Sequence, residues 1–439
     1  MERMDKKEFA RRRRRLMEAM GDDAIAILPA ASVRARNRDV EFPFRPDSDF
    51  FYVTGFPEPE AVAVLIPGRK QGEYLLFCRE RDPEKELWDG RRAGLEGACH
   101  EYHADDAFPI GDVDDIVPGL MEGRSRVFYA MGCNAEFDQQ VLGWVNHLRA
   151  KSRAGVNPPG EFVALDHVLH ELRLHKSKSE LRMMRKAMAI SAQGHRRAMA
   201  ICRPGMREFE IEAELIYEFM RGGSRASAYP SIVAAGPNSC TLHYTANSAV
   251  LKSGDLLLID AGAEYELYAA DITRTFPING RFTPPQRAIY ELVLEAQQEA
   301  IAQVRPGNHW QAPHEAAVRV LTEGLVRLGL LKGRVSTLIK KERYKQFFMH
   351  RTGHWLGMDV HDVGEYKVAQ EWRVFEPGMV TTIEPGLYIR SGDRAVAKKW
   401  WNIGVRIEDD VLVTEQGAEV LTEDVPKSVE ALEALVGTG

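Results

Sequence analysis

The chain has little cysteine and no pattern in it. Cys78, Cys99, Cys133, Cys202 and Cys240 are odd in number, scattered through 439 residues, and never spaced C-x-x-C. This speaks against a disulfide framework or a zinc knuckle and implies a reducing, cytoplasmic setting. Cys240 is close to His243, but no further base or orienting motif surrounds it, so it reads as a spectator thiol. No apolar run approaches the ~20 residues that span a bilayer. The N-terminus carries charges without the apolar stretch of a secretory signal. Surplus positive charge is also missing: 58 basic against 64 acidic residues leave a net charge of −6, which gives no electrostatic case for nucleic acid. The one basic block, Arg11–Arg15, is flanked by Phe9-Ala10 and Leu16-Met17 and reads as the solvated face of an N-terminal helix. H-E-x-x-H, a P-loop, a well-placed G-x-G-x-x-G and a G-x-S-x-G elbow are all absent. A single-zinc protease, a nucleotide binder and an elbow-type serine hydrolase are therefore disfavoured.

The length suits two domains with large cores. The first ~170 residues alternate helical and strand patterns, as in an α/β layer. Strands are expected at Ala24–Pro29, Phe50–Gly55, Ala61–Ile66, Tyr74–Cys78 and Val127–Ala130, and helices near 135–150 and 163–173. The segment Arg173–Glu180 marks a boundary, giving domains at 1–175 and 176–439. Ser177 or Ser179 can cap the long helix that follows, which ends before Pro204-Gly205. A second helix is expected over Glu208–Arg221, closed by Gly222-Gly223.

Beyond these helices acids recur at the ends of strand-like runs. Leu256-Leu257-Leu258-Ile259-Asp260-Ala261-Gly262 is followed by Asp271-Ile272-Thr273, and Ile383-Glu384-Pro385-Gly386 by Arg406-Ile407-Glu408. Each pair offers an acid before a small residue and Gly, then a second acid on a later strand. We read two similar αβ halves, separated by helices near 284–304 and 310–330, each giving two acids to a shared seam. The fifth candidate ligand is His354, in the Gly-punctuated segment His350–Asp362. An oxygen-rich set with one imidazole, Asp260, Asp271, His354, Glu384 and Glu408, suits two hard or borderline divalent ions, with manganese favoured. Such a pair activates water and polarises a carbonyl, which points to amide hydrolysis. Any one of these acids alone would be an ordinary cap or ion pair. Strand alternation puts Arg406 and Glu408 on one side, and Asp271 and Thr273 likewise. Arg406 can then orient a liganding carboxylate, and Thr273 can do so by hydrogen bond. His243, His350 and His361 suggest donors around a substrate.

At these residues the chain resembles the M24 metallopeptidases, which implies an α/β N-terminal domain and an α+β pita-bread catalytic domain. Ser48–Phe56 with Glu58–Ala61, and His354–Asp362, are similar to the aminopeptidase P branch of that family. The resemblance implies an Xaa-Pro aminopeptidase holding two divalent ions, Mn(2+) favoured, and acting on peptides with N-terminal Xaa-Pro. It makes His243, His350, His361 and Arg406 substrate-site residues and Glu384 the proton relay, with His361 stabilising the oxyanion. It implies that Trp88 reaches a neighbouring subunit's site in a homo-oligomer, a tetramer or dimer. The alternatives are an Xaa-Pro dipeptidase and a metal-free binding module of the same fold, with phosphotriester hydrolysis as a side activity.

Overall fold

The computed structural model describes residues 4–439. The chain divides into two compact units, Met4–Leu172 and Arg173–Gly439. In the first, six strands form one mixed sheet. Their order is Asp106–Pro109, Tyr74–Cys78, Val62–Leu65, Ala24–Pro29, Arg126–Tyr129 and Glu161–Ala164. Tyr74–Cys78, Val62–Leu65 and Ala24–Pro29 run antiparallel in turn, and the outer strands join in parallel. Ile25, Ile27, Val64, Leu75 and Phe77 are buried with Val117 and Met121 of helix Val113–Met121 and with Val141 and Trp144 of helix Ala135–Ala150.

Two expectations are corrected here. Phe50–Gly55 is not a strand but the body of a short helix, Ser48–Thr54. Asp47 caps it by accepting from Phe50 N–H at 2.9 Å, and Gly55 ends it at φ 66°. The aromatic and β-branched run looks strand-like, yet the flanking Asp and Gly are helix-cap chemistry, and they decide the outcome. The Arg11–Arg15 block is also not wholly solvated. Helix Lys6–Met20 buries Arg12 and Arg13. Arg12 donates to Tyr52 O at 3.1 Å and Arg13 to Val53 O at 3.0 Å. They bond to carbonyls in the last turn of the short helix, the end at which a helix's carbonyls have no intrahelical N–H to accept from. Each guanidinium also lies about 4 Å from a ring centroid, Tyr52 for Arg12 and Tyr74 for Arg13.

In the second unit Ser177 and Glu180 form a reciprocal capping box at the head of helix Lys178–Ile201. Helix Glu208–Arg221 follows and packs on it. Three antiparallel strands, Thr273–Pro277, Leu256–Asp260 and Ile232–Ala235, make the sheet of the first half. Leu256–Asp260 is the central strand and is buried along its whole length, which explains its lack of alternation. In the second half Val380–Ile383 pairs with Asp409–Thr414, and Gly386–Ile389 with Ile403–Arg406. Helices Pro284–Ile301 and Ala312–Arg327 pack together between the halves in sequence. The halves meet where Thr273 bridges Glu408, whose N–H donates to Thr273 O at 3.0 Å. The four acids gather at this seam. Among the described residues no helix is long and apolar enough to cross a membrane.

Candidate active site

The seam opens into a cavity of about 900 Å³, lined among others by Asp260, Asp271, His354, Glu384, Arg406 and Glu408. Asp260 ends its strand and accepts from Arg406 Nη2 at 2.6 Å and from Tyr229 Oη at 2.7 Å. The same phenol lies 2.5 Å from Asp271 Oδ1, so one proton faces two carboxylates. Glu408 accepts from Thr273 Oγ1 at 2.6 Å. Glu384 is fixed by its backbone, whose N–H donates to Thr352 O at 2.7 Å. Its carboxylate lies 3.9 Å from His354 Nε2 and 3.7 Å from His350 Nδ1. Two glycines make the close packing possible. A Cβ on Gly353 would sit 2.0 Å from Thr382 O, and one on Gly386 2.5 Å from Tyr388 Oη.

His354 Nδ1 lies 3.0 Å from Trp355 O and so carries the proton, which leaves Nε2 facing Asp271 Oδ2 at 3.3 Å. One ring nitrogen pinned to a carbonyl and the other aimed at carboxylates is the posture of a liganding histidine. Asp271, His354 and Glu408 each offer an atom within 4.8 Å of the others. The electrostatics say the same. Burial and repulsion among the acids push Glu384 up to about 7 and Glu408 well above the carboxylate range. Burial also raises Asp271, with Asp260 adding to it. Although burial opposes its charge, His354 is pushed up to about 9 by Asp271 and Glu384. A proton on His354 thus takes the place of a cation. Four acids, three buried and Glu384 half-buried, facing one guanidinium need further positive charge. An oxygen-rich set with one imidazole and no thiolate fits hard or borderline divalent ions.

The other expected residues are distributed as follows. His361 and His243 line the cavity and are exposed, with the His361 ring edge-on to His354 at 4.3 Å. Partial desolvation within the cavity and the neighbouring His354 hold the His361 imidazole below its ordinary value. His350 also lines the cavity, but both of its nitrogens are engaged. Nδ1–H donates to Arg351 O at 2.7 Å, and Nε2 accepts from Tyr388 Oη at 2.8 Å. Arg406 donates to Tyr388 Oη at 3.0 Å, so a relay runs from Arg406 through Tyr388 to His350. Burial and Arg406 lower His350 to about 3, and it is neutral. Trp88 belongs to the N-terminal unit, at the end of helix Pro83–Asp89, and is 88% exposed, which rules out a core Trp. Sequence reasoning missed Tyr229 and Tyr388. Tyr388 had a signal, since it is two residues beyond Gly386, which pairs with Arg406 in register. Tyr229, on an irregular stretch before Pro230, had none.

Residues 182–415 match metallopeptidase family M24, and residues 9–129 match the aminopeptidase P N-terminal domain. The chain belongs to metallopeptidase family M24, a class of hydrolases, and its catalytic unit has that family's pita-bread fold. Within the family its architecture is that of aminopeptidase P. It is 44% identical over 437 residues to the Xaa-Pro aminopeptidase of Escherichia coli K12, covering 99% of both chains. Among solved structures it is similar to aminopeptidase PepP of Pseudomonas aeruginosa, at 63% identity and a TM-score of 0.98, covering 99% of this chain and 98% of that one. Zinc-substituted E. coli aminopeptidase P in complex with product matches at 44% identity and a TM-score of 0.96, with the same coverage.

Proposed function

We propose that the protein is an Xaa-Pro aminopeptidase, releasing the N-terminal residue from peptides with proline second. The observation that carries this is the convergence of Asp271, His354 and Glu408, beside Asp260 and Glu384, in the wall of an open cavity. In this reading residues 176–439 are the peptidase domain and 1–175 its α/β partner. Asp260, Asp271, His354, Glu384 and Glu408 would hold two divalent ions, with manganese favoured. When bound, the ions supply charge to activate water and polarise the scissile carbonyl.

The chain's own residues do the rest. The acid cluster attracts the substrate's free ammonium group. Pro230, Ile232 and Leu242 give the cavity an apolar side beside His243, suited to a proline ring that brings no N–H. Glu384 takes a proton from the attacking water and delivers it to the proline nitrogen as the C–N bond breaks. Neutral His361 donates to the oxyanion of the tetrahedral intermediate. Arg406 holds Asp260 and, through Tyr388, the ring of His350.

The dipeptidase alternative is not favoured, because the relatives are named aminopeptidases. Exposed Trp88 beside exposed Leu87 supports a role at a second subunit's site in a tetramer or dimer. The five unpaired cysteines support a reducing cytoplasm. The test is hydrolysis of Xaa-Pro and Xaa-Pro-Yaa-Zaa peptides by manganese-loaded protein. Cleavage of the longer peptides after the first residue is expected, and cleavage of dipeptides alone would establish the dipeptidase instead.

A further inference from the structure

The cavity changes sign with depth. Its acids are largely buried, but Arg351 and Lys367, which also line it, are exposed. Both converge on one aromatic side chain: Lys367 Nζ lies 4.5 Å and Arg351 Cζ 5.5 Å from the Trp372 ring centroid. Lys367 and Trp372 are a register pair in a two-stranded hairpin. Its turn residues, Ala369 and Gln370, both have positive φ, 48° and 70°. That is the two-residue turn whose twist matches paired strands, adopted here without glycine. Arg351 is held from the other side, donating through Nη1 to the neutral amide of Gln311 at 2.8 Å. Neither cation is in an ion pair among the described residues.

An exopeptidase that consumes its substrate from the amino end brings the ammonium group to the acids. Whatever follows the proline then leads away from the acids, toward the exposed part of the lining where Arg351, Lys367 and Trp372 lie. We propose that Arg351, Lys367 and Trp372 form a subsite for a carboxylate carried by the substrate downstream of its proline. This rests on the aminopeptidase reading and adds a charge preference to it. The two cations supply the attraction, and the indole holds both in place and shields them from water on one face. The carboxylate is either the chain end of a short peptide or an acidic side chain after the proline.

The experiment uses the full-length, manganese-loaded protein and two pairs of peptides. Ala-Pro-Ala is compared with its C-terminal amide, and Ala-Pro-Glu-amide with Ala-Pro-Gln-amide. We expect the charged member of at least one pair to show a kcat/KM about 5- to 10-fold higher, carried by KM and shrinking at high salt. A preference in the first pair identifies the chain end as the ligand, and one in the second the side chain. Arg351→Gln with Lys367→Gln should bring the ratio near one, and Arg351→Lys should restore part of it. Equal kcat/KM within both pairs for the unaltered protein overturns the subsite, and this comparison needs no variant to fold. A ratio that survives the double substitution overturns it as well. Failure to cleave any of the four peptides overturns the aminopeptidase reading itself, and the subsite with it.

Discussion

Glu408 and Asp409 are neighbours in sequence and live in opposite electrostatic worlds. Asp409 is fully buried, and Arg274, Lys427, Gln297 and Thr422 all donate to it, at 2.5–2.7 Å. Burial would raise its carboxyl, but Arg274 and Lys427 override burial and pull it down to about 2. Glu408, also buried, receives Thr273 Oγ1 and is crowded by three other acids, which drive its proton affinity up. The same contrast recurs at the histidine segment. Asp362 is buried between Lys176 and Arg173, at 2.9 and 2.6 Å, while His361 beside it is exposed in the cavity. Asp409 and Asp362 are each balanced by two cationic side chains of the chain itself, whereas the acid cluster at the seam shares Arg406 and His354 among four carboxylates. A buried acid with too few cations around it marks the site better than burial alone.

This contrast can be broken in several ways, taken from the largest effect down. Removing divalent metal should abolish peptidase activity, and elemental analysis of active protein should find two ions per chain. Activity persisting in protein shown to be metal-free would mean that the acids are balanced some other way. Glu384→Gln should lower kcat by about 10³-fold, within the range for a lost proton-transfer group. A variant with unchanged kcat would place the relay elsewhere. His361→Ala should lower kcat/KM by about 10²–10³-fold with metal content intact, as expected for one oxyanion donor. Metal content falling by half would make His361 a ligand.

The two sides of the contrast should also titrate with opposite sign. Asp409 has a folded value below its unfolded one. Its contribution, about 2 kcal/mol, is present above pH ~4 and is lost as pH falls toward 2. Glu384 in ion-free protein has a folded value raised to about 7, so stability falls as pH rises from about 4.5 to 7. Thermal melts should therefore show that metal raises Tm more at pH 8 than at pH 5. A gap independent of pH would contradict the uncompensated cluster. The smallest effect is outside the cluster. Trp88→Ala should cost less than about 10-fold on short peptides without loss of fold. A monomer with full activity, seen by light scattering, would end the cross-subunit reading.

Much of this was legible in the chain itself, for reasons that can be named. The helix Glu208–Arg221, the cap at Ser177 and the buried strand ending at Asp260 follow from local periodicity and cap chemistry. Arg406 reaching a candidate ligand carboxylate and Thr273 holding Glu408 follow from strand alternation, although alternation could not say that Asp260 is the partner of Arg406. What was not legible depends on contacts between distant segments. Arg12 and Arg13 are buried because a helix end 40 residues away offers them carbonyls. Tyr229 matters because two acids beyond it converge on its hydroxyl. Glu408 could be singled out from sequence, but the compensation of Asp409 by Arg274 and Lys427, from 135 and 18 residues away, could not.

The bridge between Thr273 and Glu408 has a consequence in time. It joins residues 135 apart, and Arg274 beside it also binds Val425 O, 151 residues downstream. During synthesis Asp260 and Asp271 leave the ribosome long before Glu384 and Glu408 do. The early half carries its own three-stranded sheet, but it offers only two of the four acids and lacks His354. The five candidate ligands are therefore complete only once residue 408 has emerged. The order of the residues thus places completion of the site late in synthesis.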